Sequence, residues 1–314
     1  MRYNIRLIMC LMRFIKLSMV VFLIGCSLRT FAQSIPIVNA GFEANVIGAG
    51  TFQVLTPAGW SRWDPGLIIN NSANAVGLIR PDLPQPYFPA GAPEGSQAAL
   101  VFLAGPQAVE AGLQQTLAAT LQANTRYRCA VQVGNIASGT SLPGSADGGN
   151  VFYNLEGFPG YRIDVLAGTN VAASDNNSIG ATIPEGEFRE ARFFFDTGPA
   201  PAQLGQALGI RLVNLKHPGT TNAPNIEVDF DAVSLTAGSI PAAAQMGIAR
   251  PGEQTEISIS GTTGATYRVE YADSLLAASW STLTNVPMPV SPQIVLDAEP
   301  AGNPTNRFYR AVVE

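Results

Sequence analysis

The chain has 314 residues, with 18 Lys and Arg, 23 Asp and Glu, one His and three Cys, a length that suits one to three domains. Residues 1–32 hold five basic groups (Arg2, Arg6, Arg13, Lys16 and Arg29) and no acidic one, which leaves 13 basic and 23 acidic groups beyond them, a formal charge of −10. That balance repels phosphate backbones and argues against nucleic acid as a partner, whereas neutral ligands and cations suit it.

The first element in chain order is a secretory leader, residues 1–32. A basic start precedes an apolar run from Leu17 to Leu28, and Thr30-Phe31-Ala32 supplies the small residues of a cleavage site. The run is shorter than the about 20 residues a membrane span requires, so no span is expected in the mature protein. Two readings of the leader stay open. One is cleavage after Ala32 and secretion or display at the cell surface. The other takes Leu23-Ile24-Gly25-Cys26 as a lipobox, with a lipid anchor at Cys26 and an outer-membrane lipoprotein as the product. Cleavage after Ala32 leaves Cys129 as the lone cysteine, and its alternation with Tyr127, Val131 and Val133 predicts a small buried hydrophobe.

Beyond the leader, short apolar or alternating runs recur between Gly, Pro, Asn and Asp clusters. Strands are predicted at Ser34–Phe42, Ala98–Leu103, Thr125–Gly134, Tyr161–Leu166, Phe188–Asp196, Leu208–Leu215 and Ile226–Leu235. Val109–Leu121 reads as a helix or, through Leu113, Gln115 and Leu117, as a strand. In the last run Ile226, Val228 and Phe230 share one parity and Val233 and Leu235 the other, which predicts a bulge between Phe230 and Val233 that re-aims Asp231. The pattern predicts an all-β chain: a jelly-roll β-sandwich over 33–237, a linker at 238–246, and a small β-rich domain over 247–314. The second domain's strands are expected at Thr255–Ser260, Tyr267–Ala272, Gln293–Leu296 and Arg307–Val313.

Four segments carry a family resemblance. They are Asn39-Ala40-Gly41-Phe42-Glu43, Gly59-Trp60, Leu121-Gln122-Ala123-Asn124-Thr125-Arg126-Tyr127 and Phe230-Asp231-Ala232-Val233-Ser234-Leu235. In this order they resemble the galactose-binding-like jelly rolls, which include many carbohydrate-binding modules. The C-terminal unit, through Ala265-Thr266-Tyr267-Arg268-Val269-Glu270-Tyr271, Trp280 and Arg307-Phe308-Tyr309-Arg310, is similar to a short β-rich module that ends many secreted bacterial proteins, and Trp280 is expected in its core. The first resemblance implies a structural calcium ion that pins the opening segment to the closing strand through Glu43 and Asp231, hard oxygen ligands of the kind Ca²⁺ takes. The alternative for both is a solvated carboxylate at a strand end.

A ligand face is expected around Trp63, with Arg62 and Asp64 beside it and Tyr87 and Tyr153 from nearby loops. Aromatic faces stack on sugar rings while charged groups bond the hydroxyls. Trp60 is expected in the core. Catalytic motifs are missing: His217 stands alone in a turn, no Gly-x-Ser-x-Gly elbow or phosphate loop occurs, and Glu185 and Glu187 read as solvated. The expected function is therefore an exported, non-catalytic protein that binds a glycan or polysaccharide. The alternatives are a structural or matrix protein that binds another protein, and a small carbohydrate-active enzyme working with carboxylates.

Overall fold

The computed structural model describes residues 32–81, 87–251, 254–274, 279–297 and 307–313. Among the described residues every regular element is a strand apart from one short 3₁₀ turn at Gly180–Thr182. The leader, with Cys26 and its two readings, lies outside the described residues. Among the described residues no helix is long and apolar enough to cross a membrane.

The strands of the first unit are β1 (Gln33–Ile35), β2 (Phe52–Val54), β3 (Ser61–Trp63), β4 (Asn74–Ile79), β5 (Ala98–Leu103), β6 (Ala111–Thr120) and β7 (Thr125–Asn135). They continue with β8 (Gly139–Thr140), β9 (Phe152–Tyr153), β10 (Tyr161–Ala167), β11 (Asn170–Asn176), β12 (Glu187–Asp196), β13 (Ala207–Asn214) and β14 (Glu227–Ser239). One antiparallel sheet runs β12-β7-β14-β5-β4-β2, with β1 joined to the far end of β14, and a second runs β11-β10-β13-β6-β3. Their facing sides enclose the main core, in which Val101, Val228 and Phe230 of the first sheet share a cluster with Leu113, Ile163 and Ile210 of the second. This is a jelly-roll-like β-sandwich, as the strand pattern predicts.

Several local expectations need correction. The opening strand stops at Ile35, because Asn39 and Phe42 take positive φ (53° and 59°) and the chain turns there. Val109–Leu121 resolves as a strand: Gly112 lies flat against β13, where Leu212 O leaves no room for a side chain. The bulge in β14 is present. Its register on β7 slips between Asp231 and Ser234, and Ala232 has φ of +47°. The slip has a packing cause, since Phe230, Val233 and Leu235 all enter the main core despite their mixed parity.

Strands β4 and β5 are buried on both sides. On β5, Ala99, Val101 and Leu103 face the main core, while Ala98 and Leu100 belong to a second apolar cluster with Ile79, Tyr87, Phe88, Ile136 and Leu155. The outer side of the larger sheet is thus covered, by the segment through Tyr87 and Phe88 and by the β8–β9 hairpin. Cys129 is fully buried in the main core, where burial pushes its thiol up to about 12.

The second unit pairs β15 (Gln245–Ala249), β16 (Thr255–Ser260) and β19 (Gln293–Asp297) in one sheet, and β18 (Ser281–Pro287), β17 (Thr266–Ala272) and β20 (Phe308–Val313) in another. Ile257, Ile259, Tyr267, Val269, Val286 and Met288 form its core. Trp280 is not among them: it is half-buried at the surface with the Arg310 guanidinium 4.4 Å from its ring.

Candidate active site

Strand β14 opens with acids at alternate positions, Glu227, Asp229 and Asp231, between the core residues Val228 and Phe230. Period-2 geometry sends all three to the outer side of the larger sheet. That side is not solvent, because the second apolar cluster covers it.

Glu227 lies in the wall of a cavity of about 80 Å³, with Phe52 of β2, Phe102 of β5, Tyr153 of β9 and Tyr87 among the other walls. Edge-on contacts fix the rings: Phe52 to Tyr153 at 5.8 Å and Phe102 to Tyr153 at 6.4 Å between centroids. Glu227 is 6% exposed and makes no hydrogen bond among the described residues. Burial pushes its carboxyl up to about 8, so it holds its proton at neutral pH. Asp229 is fully buried behind it, both carboxyl oxygens are without partners, and burial together with the Glu227 charge raises it well above the carboxylate range.

The two phenols differ. The Tyr87 hydroxyl is buried and unpartnered, and burial, with the Glu227 charge second, keeps it protonated. Tyr153 donates its O–H to Asp147 Oδ2 at 3.1 Å. Burial, then that bond, raises its phenol to about 12. Asp147 sits in the loop of the β8–β9 hairpin. Burial acts to raise its pKa, but hydrogen bonds from Ser141 Oγ (2.7 Å), Gly149 N–H (2.9 Å) and Tyr153 outweigh it and hold the carboxylate below its usual range.

The structure brings Tyr87 and Tyr153 together in this cavity and leaves Trp63, Arg62 and Asp64 elsewhere. Trp63 lies on the five-stranded sheet, with Arg211 4.5 Å and Arg162 5.6 Å from its ring. Both arginines bond Asp164, and Arg162 also bonds Glu110. Arg62 donates to Thr56 and Asn71, and Asp64 accepts the N–H groups of Ile68 and Ile69. The polar groups expected to read sugar hydroxyls are thus bonded within the protein. Trp60 is buried against Phe42, as expected. His217 is exposed, as are Glu185 and Glu187.

Glu43 and Asp231 meet one loop. Glu43 accepts from Ser96 N–H, Ser96 Oγ–H and Gln97 N–H, and Asp231 accepts from Glu94 N–H and Ala232 N–H. Burial, with the Glu94 and Glu43 charges adding to it, pushes Asp231 up to about 7 against those N–H bonds. Among the described residues no Lys or Arg pairs with these carboxylates, and no group of three or more His, Cys, Asp or Glu is placed to hold a metal.

Sequence reasoning missed Glu227 and Asp229. The available signal was acids alternating with core residues on a strand beside β5, which is apolar at both parities.

No curated protein matches this chain. Among solved structures, a cyclase from Fischerella sp. TAU is 38% identical with a TM-score of 0.56, covering 66% of this chain and 98% of its own. The Stig cyclase Fisc from Fischerella sp. TAU, solved with (3Z)-3-(1-methyl-2-pyrrolidinylidene)-3H-indole, is 38% identical with a TM-score of 0.56 and covers 67% of this chain and 100% of its own. A Fischerella sp. TAU cyclase in complex with 4-(1H-indol-3-yl)butan-2-one matches at 38% identity and a TM-score of 0.56, over 66% of this chain and 98% of its own. These matches overturn the expectation of a non-catalytic binding protein, and with it the glycan, matrix and carbohydrate-enzyme readings. The missing His and Cys motifs misled because catalysis can also run on carboxyl groups whose surroundings tune them. The profile of the HpiC1-like family, described as HpiC1 cyclase, matches residues 33–236, well over half of the chain, and the protein belongs to that family.

Proposed function

We propose that the protein is an acid-initiated cyclase of small, electron-rich aromatic substrates of the indole class, with Glu227 as the general acid. The observation that carries this reading is a buried carboxyl without hydrogen-bond partners in a cavity walled by four aromatic rings, where burial favours its protonated form. A carboxylic acid with a pKa near the working pH is well matched to giving up a proton in the transition state. Glu227 protonates an alkene or imine of the substrate. The electron-rich ring attacks the cation so formed, a carbon–carbon bond closes, and loss of the ring proton restores aromaticity and returns the proton. The product is an isomer of the substrate, so no oxidant or reductant is consumed. Aromatic walls suit the cation and keep water from trapping it. The indole class is drawn from the ligands of the Fischerella cyclases.

The test is a panel of 3-alkenylindoles with wild-type protein and Glu227→Gln. The expected result is conversion to products of unchanged mass and a loss of at least about 100-fold in the variant, the lower range for removal of a general acid. Full turnover by Glu227→Gln would overturn the assignment.

Calcium is part of the same proposal. The donors suit it: Glu43 and Asp231 are hard carboxylates on the opening and closing segments, drawn to one loop and unneutralised by Lys or Arg among the described residues. Backbone carbonyls would complete the ligand set, and the ion would tie the two ends of the domain. The leader of residues 1–32 belongs with export, to the cell surface or beyond, or with an anchor at Cys26. Mass spectrometry of the native N-terminus separates cleavage before Gln33 from acylation, and an intact Met1 rejects both.

A further inference from the structure

Tyr87 and Tyr153 face the same cavity with opposite hydrogen-bonding capacity. The Tyr87 hydroxyl is buried in the wall of this cavity without a partner, so its proton is uncommitted. Tyr153 has committed its only proton to Asp147, so what its oxygen has left to offer is lone-pair density. Asp147 is held by three neutral donors, Ser141 Oγ, Gly149 N–H and the Tyr153 hydroxyl, and no Lys or Arg pairs with it among the described residues. Its negative charge is therefore not cancelled locally.

We infer that Tyr153, polarised by Asp147, is the anionic pole of the cavity and binds the cationic form of the substrate opposite the neutral acid Glu227. The inference rests on the acid-initiated reading above and adds to it which side of the cavity the positive charge faces. A cation in an apolar cavity is costly unless an oriented dipole or charge meets it, and a dipole fixed before the reaction requires no reorganisation as charge develops. The hairpin loop fixes this one. Asp147 Oδ1 accepts the Gly149 N–H two residues on, Ser141 Oγ bridges Asp147 to the Val151 N–H, and the Gln53 side chain and the Phe52 carbonyl tie the loop to β2 through Gly144 and Ala146. Tyr153 is the group that meets the substrate, and Asp147 is a positioning residue that acts through it. Among the described residues the other titratable groups facing the cavity are Glu227 and Tyr87, which burial holds toward their neutral forms, so no second charge competes there.

The test uses the two indole probes bound by the Fischerella cyclases. The conjugate acid of 3-(1-methyl-2-pyrrolidinylidene)-3H-indole is a delocalised cation, and 4-(1H-indol-3-yl)butan-2-one is neutral. Dissociation constants for both are measured at one pH, with the first probe protonated, for wild type, Asp147→Asn, Asp147→Glu and Tyr153→Phe. Asp147→Asn is expected to weaken the cation about tenfold and the ketone less than twofold. Tyr153→Phe should likewise abolish the preference, and Asp147→Glu should restore most of it. Equal weakening of both probes in Asp147→Asn and Tyr153→Phe would reduce the pair to a structural role and overturn the inference, as would no weakening at all. Failure of both probes to bind wild-type protein would instead sink the indole reading and this subsite together.

Discussion

Burial of Glu227 makes the protein less stable at neutral pH, and Glu227→Gln exposes that cost. In the folded chain the carboxyl holds its proton up to about 8, against 4.5 for an ordinary glutamate. Between those values the unfolded chain has released the proton and the folded chain has not. The folded state then binds more protons, so stability falls as pH rises. The contribution is fully present below about 4.5, declines through the interval and is gone above about 8. The slope is about 1.4 kcal/mol per pH unit, so the accumulated loss at pH 7 is on the order of 3 kcal/mol. Glutamine has the same shape and no proton to lose, and its unsatisfied amide costs roughly 1 kcal/mol. The variant should gain about 2 kcal/mol at pH 7, roughly 4–8 °C in Tm for a domain of this size, and lose about 1 kcal/mol at pH 4, where only the amide cost remains. Asp229 adds a slope of its own, shallower in the variant because the Glu227 charge that helps to raise it is gone, so the readout is the pH dependence of the difference between the two melting curves. Thermal melts from pH 4 to pH 9 measure it. A difference that does not change with pH, or a variant less stable throughout, would show that Glu227 is ionised in the fold and refute the argument.

Further outcomes follow from other parts of the molecule. Turnover should hold through neutral pH and fall tenfold per unit above about 8 as Glu227 loses its proton, read from initial rates across pH; a plateau to pH 10 would contradict it. Chelation should lower Tm if calcium joins Glu43 to Asp231, and Asp231→Ala should melt lower in calcium and ignore the chelator; at free Ca²⁺ about 100 times Kd the ion contributes roughly 2.7 kcal/mol. Gly95 has φ of +60° and a side-chain carbon there would meet the Glu43 carboxyl at 2.5 Å, so Gly95→Ala should cost about 2 kcal/mol in denaturant melts and blunt the calcium response. Trp63→Ala should lose about 1–2 kcal/mol of stability through its arginine contacts, while indole binding measured by titration stays unchanged.

The sandwich was legible because strand periodicity and turn chemistry are local. The bulge was legible too, since a parity slip between Phe230 and Val233 has few other causes when both residues must reach one core. The opening strand misled because Asn39 and Phe42 turn the chain with positive φ, and a bulky Phe in that region has no sequence signature. The site was largely hidden. Its walls come from Phe52, Tyr87, Phe102, Tyr153 and Glu227, which are distant in sequence and share only the outer side of one sheet. Tyr87 and Tyr153 read from sequence as loop aromatics beside the Trp63 cluster, and sequence cannot show that they line a separate cavity or that Arg62 and Asp64 are already bonded to Thr56, Asn71 and the backbone at Ile68 and Ile69. Strand β5 held the missing hint: apolar residues at both parities mean two covered faces, and an acid on the neighbouring strand then has nowhere solvated to go.

On the proposed function, chemistry occurs in the aromatic cavity on the outer side of the larger sheet, under Glu227. A crystal structure of the protein with 4-(1H-indol-3-yl)butan-2-one bound tests it most directly. The account predicts the indole between the rings of Phe52, Tyr87, Phe102 and Tyr153, with a polar atom within hydrogen-bonding distance of the Glu227 carboxyl. Indole bound at Trp63 on the five-stranded sheet, with the cavity under Glu227 closed to it, would contradict the account.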